Sequence, residues 1–190
     1  MKKLSIFAIF IAIGTLALAL LNADRNTSPV LKNGEKKVER LKLAMKITSS
    51  VFQNNSKIPG KYTCDGQNIN PPLEISEVPE TAKSTVLIVD DPDAPVKIWV
   101  HWVVYNINPD ATEVEEDSFP EGGIEGMTDF GRPGYGGPCP PSGTHRYFFK
   151  LYALDNKIEL PQNATKQMVE EKMKDHILDK AELIGLYSRE

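Results

Sequence analysis

A chain of 190 residues that is 41% hydrophobic and 25% charged can fill one buried core but not two. The same balance sets it apart from disordered sequences. A net charge of -4 excludes the basic excess that binding to a nucleic-acid backbone requires.

The first 23 residues stand apart from the rest. Met1-Lys2-Lys3 gives a positive start, and Leu4 to Leu21 runs without one charge, as an export signal does. The apolar run is longer than most cleaved signal cores and reaches the lower limit for a membrane span. A cleaved signal peptide and a retained anchor therefore both fit. Ala17-Leu18-Ala19 and Ala23 offer small residues for cleavage, and the membrane is reached only through this segment. The expected location is periplasmic, secreted, or tethered to the outer face of the cytoplasmic membrane. Residues 24–40 are polar, with Pro29 and Gly34 and no apolar period, and read as a flexible linker to a domain at 41–190.

Leu41 to Ile47 alternates apolar and polar residues, the period of a half-buried strand. Ile58 to Gly66 and then Asn70-Pro71-Pro72 are turn-rich, since prolines interrupt both helix and central strand. Thr85 to Val89 is a β-branched run that delivers the acidic loop Asp90-Asp91-Pro92-Asp93-Ala94-Pro95. Trp99 to Ile107 predicts a strand whose alternation puts Trp99, His101, Val103 and Tyr105 on one face. Residues 120–143, dense in glycine and proline, predict a long loop, and loops of that length usually carry function. His145 to Leu154 predicts a strand with His145, Tyr147, Phe149 and Leu151 on one face. Ala164 to Leu178 predicts the one good helix, capped by Asn163, with an apolar stripe of Val169, Met173 and Ile177. Ala181 to Ser188 predicts a closing strand, so the class is mainly β, a sandwich with one helix in its C-terminal half.

The two cysteines, Cys64 and Cys139, permit one disulfide in an exported chain, and two buried thiols are the alternative. If they pair, the long loop they close is worth roughly 4–5 kcal/mol by chain entropy. Structural zinc on these two alone is not expected, because such sites take four ligands in close pairs.

Three blocks carry chemistry: Asp91-Pro92-Asp93-Ala94-Pro95, Trp99-Val100-His101-Trp102, and Gly137-Pro138 through His145-Arg146-Tyr147. They resemble the signature blocks of the phosphatidylethanolamine-binding protein family. Tyr62-Thr63-Cys64-Asp65-Gly66, Asn70-Pro71-Pro72-Leu73, Asp129 to Pro141 and Gly185-Leu186-Tyr187-Ser188 extend the resemblance to its prokaryotic, Raf-kinase-inhibitor-like branch. The resemblance implies a β-sandwich with one small pocket for an anion such as phosphate, phosphoethanolamine or a small carboxylate, with no cofactor. Carried over by position, that pocket holds Asp91, Pro95, Trp99, His101, Gly137, Pro138, His145 and Tyr147. It also implies a non-enzymatic binding protein that modulates a kinase or peptidase partner. A homodimer is left open.

The residue types suit the task. Two imidazoles and the amides of a glycine-rich loop donate to anionic oxygens, and Trp and Pro walls exclude water. Asp91 is expected to favour a charged neighbouring histidine and so to supply a charged donor near neutral pH. Singly, each residue has a plainer reading as core packing, and Asp93 as a cap on its own turn. Arg132, Arg146 and Lys150 read as solvated or paired on the opposite face, although Arg132 sits in the long loop and could gate the pocket. The rival from another class is a metal-dependent hydrolase built on His101, His145 and Asp91 as a two-histidine, one-carboxylate triad. It lacks an evident nucleophile. Asp129-Phe130-Gly131 and His145-Arg146 imitate kinase triplets, but their order is reversed and Tyr147 stands where an Asp is needed.

Overall fold

The computed structural model describes residues 43–189, so the segments expected at 1–23 and 24–40 lie outside the described residues. Two sheets, one α-helix and a 3-10 turn at Gly60–Tyr62 make up the regular structure of the described residues. Strands β1 (Lys46–Thr48), β3 (Leu73–Ser76) and β6 (Glu113–Val114) form a small antiparallel sheet in the order β1-β3-β6. The larger sheet has six strands in the order β2-β9-β8-β4-β5-β7. Its members are β2 (Ser56–Lys57), β4 (Ser84–Asp91), β5 (Trp99–Ile107), β7 (Ile124–Glu125), β8 (His145–Leu154) and β9 (Ile177–Tyr187). Every pairing in it is antiparallel except β2 with β9.

β4 is the centre of the molecule, and all of its residues are buried. Its run Thr85-Val86-Leu87-Ile88-Val89, mostly β-branched, suits a strand covered on both sides. Leu87 and Val89 face the small sheet, packing with Ile47, Leu73, Ile75, Trp102, Val104, Phe149 and Leu151. Val86 and Ile88 face the other way, onto Val103, Tyr105, Val169 and Met173 beneath the helix.

The boundaries of β5 and β8 fall where the apolar and aromatic runs predict. The faces of β5 do not follow simple alternation. Val89 pairs with Trp102 and Asp90 with Val100, so His101 is an extra residue, a β-bulge. It turns Trp102 and Val104 to the inter-sheet core and sends Val103 and Tyr105 to the helix side, against the expectation that these share a face with Trp99 and His101. A second register shift lies between Thr85 and Leu87, opposite Asn106, whose φ of 59 is left-handed, a conformation asparagine tolerates better than most residues.

The helix α1 (Lys166–Met173) is shorter than expected. Its N-cap is Thr165, whose side chain accepts from the Met168 amide, because Asn163 is taken into a turn closed by the Ala164 amide on the Pro161 carbonyl. Val169 and Met173 do form the buried stripe. Ile177 does not: it pairs with Leu154 as the first residue of β9 and is exposed, since pairing with the edge of β8 overrides the helical period. The long loop includes the two-residue strand β7, and the N-terminal strand is only β1, later than the alternation from Leu41 suggests. Among the described residues no helix is long and apolar enough to cross a membrane.

Candidate functional site

The central strands β4, β5 and β8 end together, and their last or first residues build a cleft. Asp91 pairs with Trp99 across the β4–β5 ladder, and so shares its face. The bulge keeps His101 on that same face, and Tyr147 and His145 project from the adjoining end of β8. A hollow of about 220 Å³ lies between them, lined by Asp91, Ala94, Pro95, Trp99, His101, Phe130, Cys139, Pro141, His145 and Tyr147.

Six of the eight predicted residues line it: Asp91, Pro95, Trp99, His101, His145 and Tyr147. Gly137 and Pro138 do not, and they act one layer behind. The Gly137 amide donates to Asn68 Oδ1 at 2.7 Å, and the Pro138 carbonyl accepts from the Cys64 amide at 3.0 Å. The Gly137 amide is therefore already engaged and is not the free donor expected of the loop. A Cβ at Gly137 would come within 2.6 Å of the Tyr62 carbonyl oxygen, so this close approach requires glycine. Cys64 and Cys139 are joined as a disulfide, Cα atoms 5.4 Å apart, which ties the cleft wall to the loop at 60–68.

The two histidines are held through the same ring nitrogen. His145 Nδ1 lies 2.7 Å from Asp91 Oδ2, and both side chains are buried. Asp91 Oδ1 accepts from the Asp93 amide at 2.8 Å. His101 Nδ1 lies 2.6 Å from the Gly136 carbonyl oxygen, while the Gly136 amide donates back to the His101 carbonyl at 2.9 Å. A carbonyl and a carboxylate only accept, so each Nδ1 carries the hydrogen, leaving Nε2 of both rings for the cleft. Burial pulls the His101 pKa below its ordinary value, against the opposing pull of the Gly136 bond and of Asp91. His101 is thus neutral near pH 7, because desolvation outweighs the carboxylate's attraction, and the carboxylate expected to favour a charged histidine is bonded to His145 instead.

Tyr147 forms the floor. Its hydroxyl is buried without a completed hydrogen bond, the Cys139 amide approaching it, and burial raises its pKa so that it stays a donor. The ring meets His101 edge-on at 5.2 Å.

Phe130, which the sequence reading missed, makes a wall: its ring stands edge-on to Trp99 and His101 at 5.7 and 5.4 Å. It belongs to the triplet set aside as a kinase look-alike. Asp129 positions it by accepting from the Val100 amide at 2.8 Å and from Lys97 Nζ. Gly136 leaves room for it, since a Cβ there would fall 2.2 Å from the ring.

Other expectations are corrected by specific contacts. The Asp93 carboxylate is not spent on its own turn: it accepts from the Arg146 amide, Nε and NH2, and Arg146 pulls its pKa down to about 2. Lys150 pairs, as expected, on the far face, joining Lys166 on buried Asp90. Arg132 bonds the Pro133 and Tyr135 carbonyls and does not line the cleft. Both oxygens of Asp91, the carboxylate of the rival metal triad, are engaged by His145 and the Asp93 amide, and no observation favours that triad. No group of three or more metal-ligating side chains is found among the described residues. A larger groove of about 680 Å³ touches the cleft at Pro141, but there Asp65 is occupied by Tyr187 and Arg189.

Residues 48–188 match the family model described as phosphatidylethanolamine-binding protein. A UPF0098 protein of Methanothermobacter thermautotrophicus is 52% identical over 150 residues, covering 76% of this chain and 99% of the relative. Another from Aquifex aeolicus is 50% identical, covering 77% and 90%. Among solved structures, the homolog CT736 from Chlamydia trachomatis superposes with a TM-score of 0.74 at 43% identity, covering 77% of this chain and 99% of that one. The E. coli protein YbcL, described as a member of the mammalian PEBP family, gives 0.73 at 32%, covering 78% and 100%. With its signature side chains gathered at one strand-end cleft and most of its length matched, the chain belongs to the phosphatidylethanolamine-binding protein family.

Proposed function

We propose that this is a non-enzymatic binding protein whose cleft holds a small anion, phosphate-like or phosphoethanolamine-like, and which engages a kinase or peptidase partner through that pocket. The observation that carries this reading is the convergence of three polar side chains on one apolar-walled hollow: His145 oriented by Asp91, His101 oriented by Gly136, and the unsatisfied hydroxyl of Tyr147. A buried donor with no protein acceptor calls for a partner. The family's name points the same way. No serine or thiol nucleophile adjoins either histidine in the cleft, where Cys139 is bound in the disulfide.

Export is part of the proposal. The charge-free run at Leu4 to Leu21 and the disulfide at Cys64 and Cys139 both suit an oxidising compartment outside the cytoplasm. The test of binding is a thermal-shift titration with phosphate and phosphoethanolamine. A ligand specific for the folded state adds RT ln(1 + [L]/Kd), about 2.7 kcal/mol at a hundredfold excess over Kd. Wild type should gain stability and His145→Ala should not. Equal gains in both would place the site elsewhere.

A further inference from the structure

We infer that the cleft selects phosphate monoesters in their singly protonated form, because His101 presents it with a lone pair and not with an N–H. This rests on the anion-binding reading above and specifies which anion fits.

The tautomer of His101 is fixed by geometry. Its Nδ1 lies 2.6 Å from the Gly136 carbonyl oxygen, and a carbonyl can only accept, so the hydrogen sits on Nδ1. The Gly136 peptide cannot turn away easily, for its amide is bonded to the His101 carbonyl and the following amide, of Gly137, to Asn68. Nε2, the nitrogen left for a ligand, is therefore an acceptor whenever the ring is neutral.

The surroundings favour that neutral state. The ring is packed edge-on against Tyr147 and Phe130, and burial disfavours its charge despite the pull of Asp91 and Asp90 on β4 and of Asp129 before β8. His145 also faces the cleft, with its Nδ1–H committed to Asp91. An anion with no hydrogen of its own would set an oxygen lone pair against the lone pair of His101 Nε2. A phosphate monoester monoanion avoids this, because its P–O–H donates to Nε2 while its other oxygens face the Tyr147 hydroxyl. Sites built around a specific hydrogen bond reject analogues that lack the matching group far more strongly than apolar pockets reject a changed shape.

The test is calorimetric titration of the wild-type protein with methyl phosphate and methyl sulfate, nearly equal in size and shape. Below its second pKa of about 6, methyl phosphate keeps one acidic hydrogen, whereas methyl sulfate has none. Methyl phosphate should bind at least tenfold more tightly in mild acid. Its advantage should then shrink by about tenfold for each pH unit above that pKa. Titration of protein groups that do not meet the ligand moves both ligands together and cancels in the ratio, whereas protonation of His101 would make Nε2 a donor and erase the advantage of methyl phosphate. Comparable affinities, or a ratio that does not change with pH, would overturn the inference and leave the anion site standing. If neither ligand binds at any pH, the anion-binding reading itself fails.

Discussion

His145 Nδ1 and Asp91 Oδ2 lie 2.7 Å apart, joining the first residue of β8 to the last residue of β4 at the buried end of the large sheet. Both ends of this bond are constrained, since the other Asp91 oxygen holds the Asp93 amide. Asp91→Asn keeps the volume but offers a single acceptor for two donors. It should leave one buried N–H unmatched, at a cost of about 1–3 kcal/mol. Phosphate affinity should fall with it, because His145 loses its fixed orientation. Denaturant melts and calorimetry on the same preparation check both, and unchanged binding by a folded Asn variant would remove Asp91 from the site.

The Asp93–Arg146 clamp gives a pH prediction. Arg146 holds the Asp93 carboxyl down to about 2, below its unfolded value of about 4. A depressed folded pKa contributes stability that is present above the unfolded pKa and is lost as pH falls through the folded one. The difference in melting temperature between wild type and Asp93→Asn should thus be constant above about pH 5 and shrink toward about pH 2. A difference that persists unchanged at the acid end would show that the contribution is not electrostatic.

Reduction should loosen the molecule measurably. The Cys64–Cys139 disulfide closes a sequence separation of 75 residues, and losing a bond of this kind typically costs about 2–5 kcal/mol. The Cys64→Ser, Cys139→Ser double variant should melt lower than wild type and lose all sensitivity to dithiothreitol. Equal melting of oxidised and reduced wild type would contradict this.

Neighbouring glycines should separate binding from stability. At Gly136 an added methyl meets the Phe130 ring, which is partly exposed and can swing aside, so Gly136→Ala should disturb the cleft wall more than the fold. At Gly137 the methyl meets the Tyr62 carbonyl and the Thr63 Cα, both backbone, and overpacking of this kind costs about 1–3 kcal/mol. Parallel losses of ligand affinity and melting temperature in the two variants would refute the distinction.

How much of this was legible in the sequence depended on whether a signal was local. β5 and β8 announced themselves because aromatic and β-branched runs have few other uses. The signature blocks brought Asp91, Trp99, His101, His145 and Tyr147 to one cleft. The bulge at His101 had no such signal, since nothing in Trp-Val-His-Trp says which residue is unpaired until β4 lies beside it. The role of Phe130 depended on Asp129 reaching the Val100 amide 29 residues away. The neutrality of His101 had no signal either, because proximity to Asp91 can be inferred from a motif, whereas burial cannot. Asn163 lost the cap to Thr165 because a turn at Pro161 had already claimed it.

The bulge in β5 has a consequence for engineering. Trp99, which leads into it, and His101, which makes it, serve the cleft, and residues after it, with Trp102 and Val104, serve the core. The extra residue absorbs the change of register between the two tasks, so each half of the strand keeps its own pairing with β4. A recognition segment running from Asp91 to His101 could therefore be exchanged for one of different chemistry while the inter-sheet packing kept its register. The fold in this way carries a replaceable reading head on a fixed chassis.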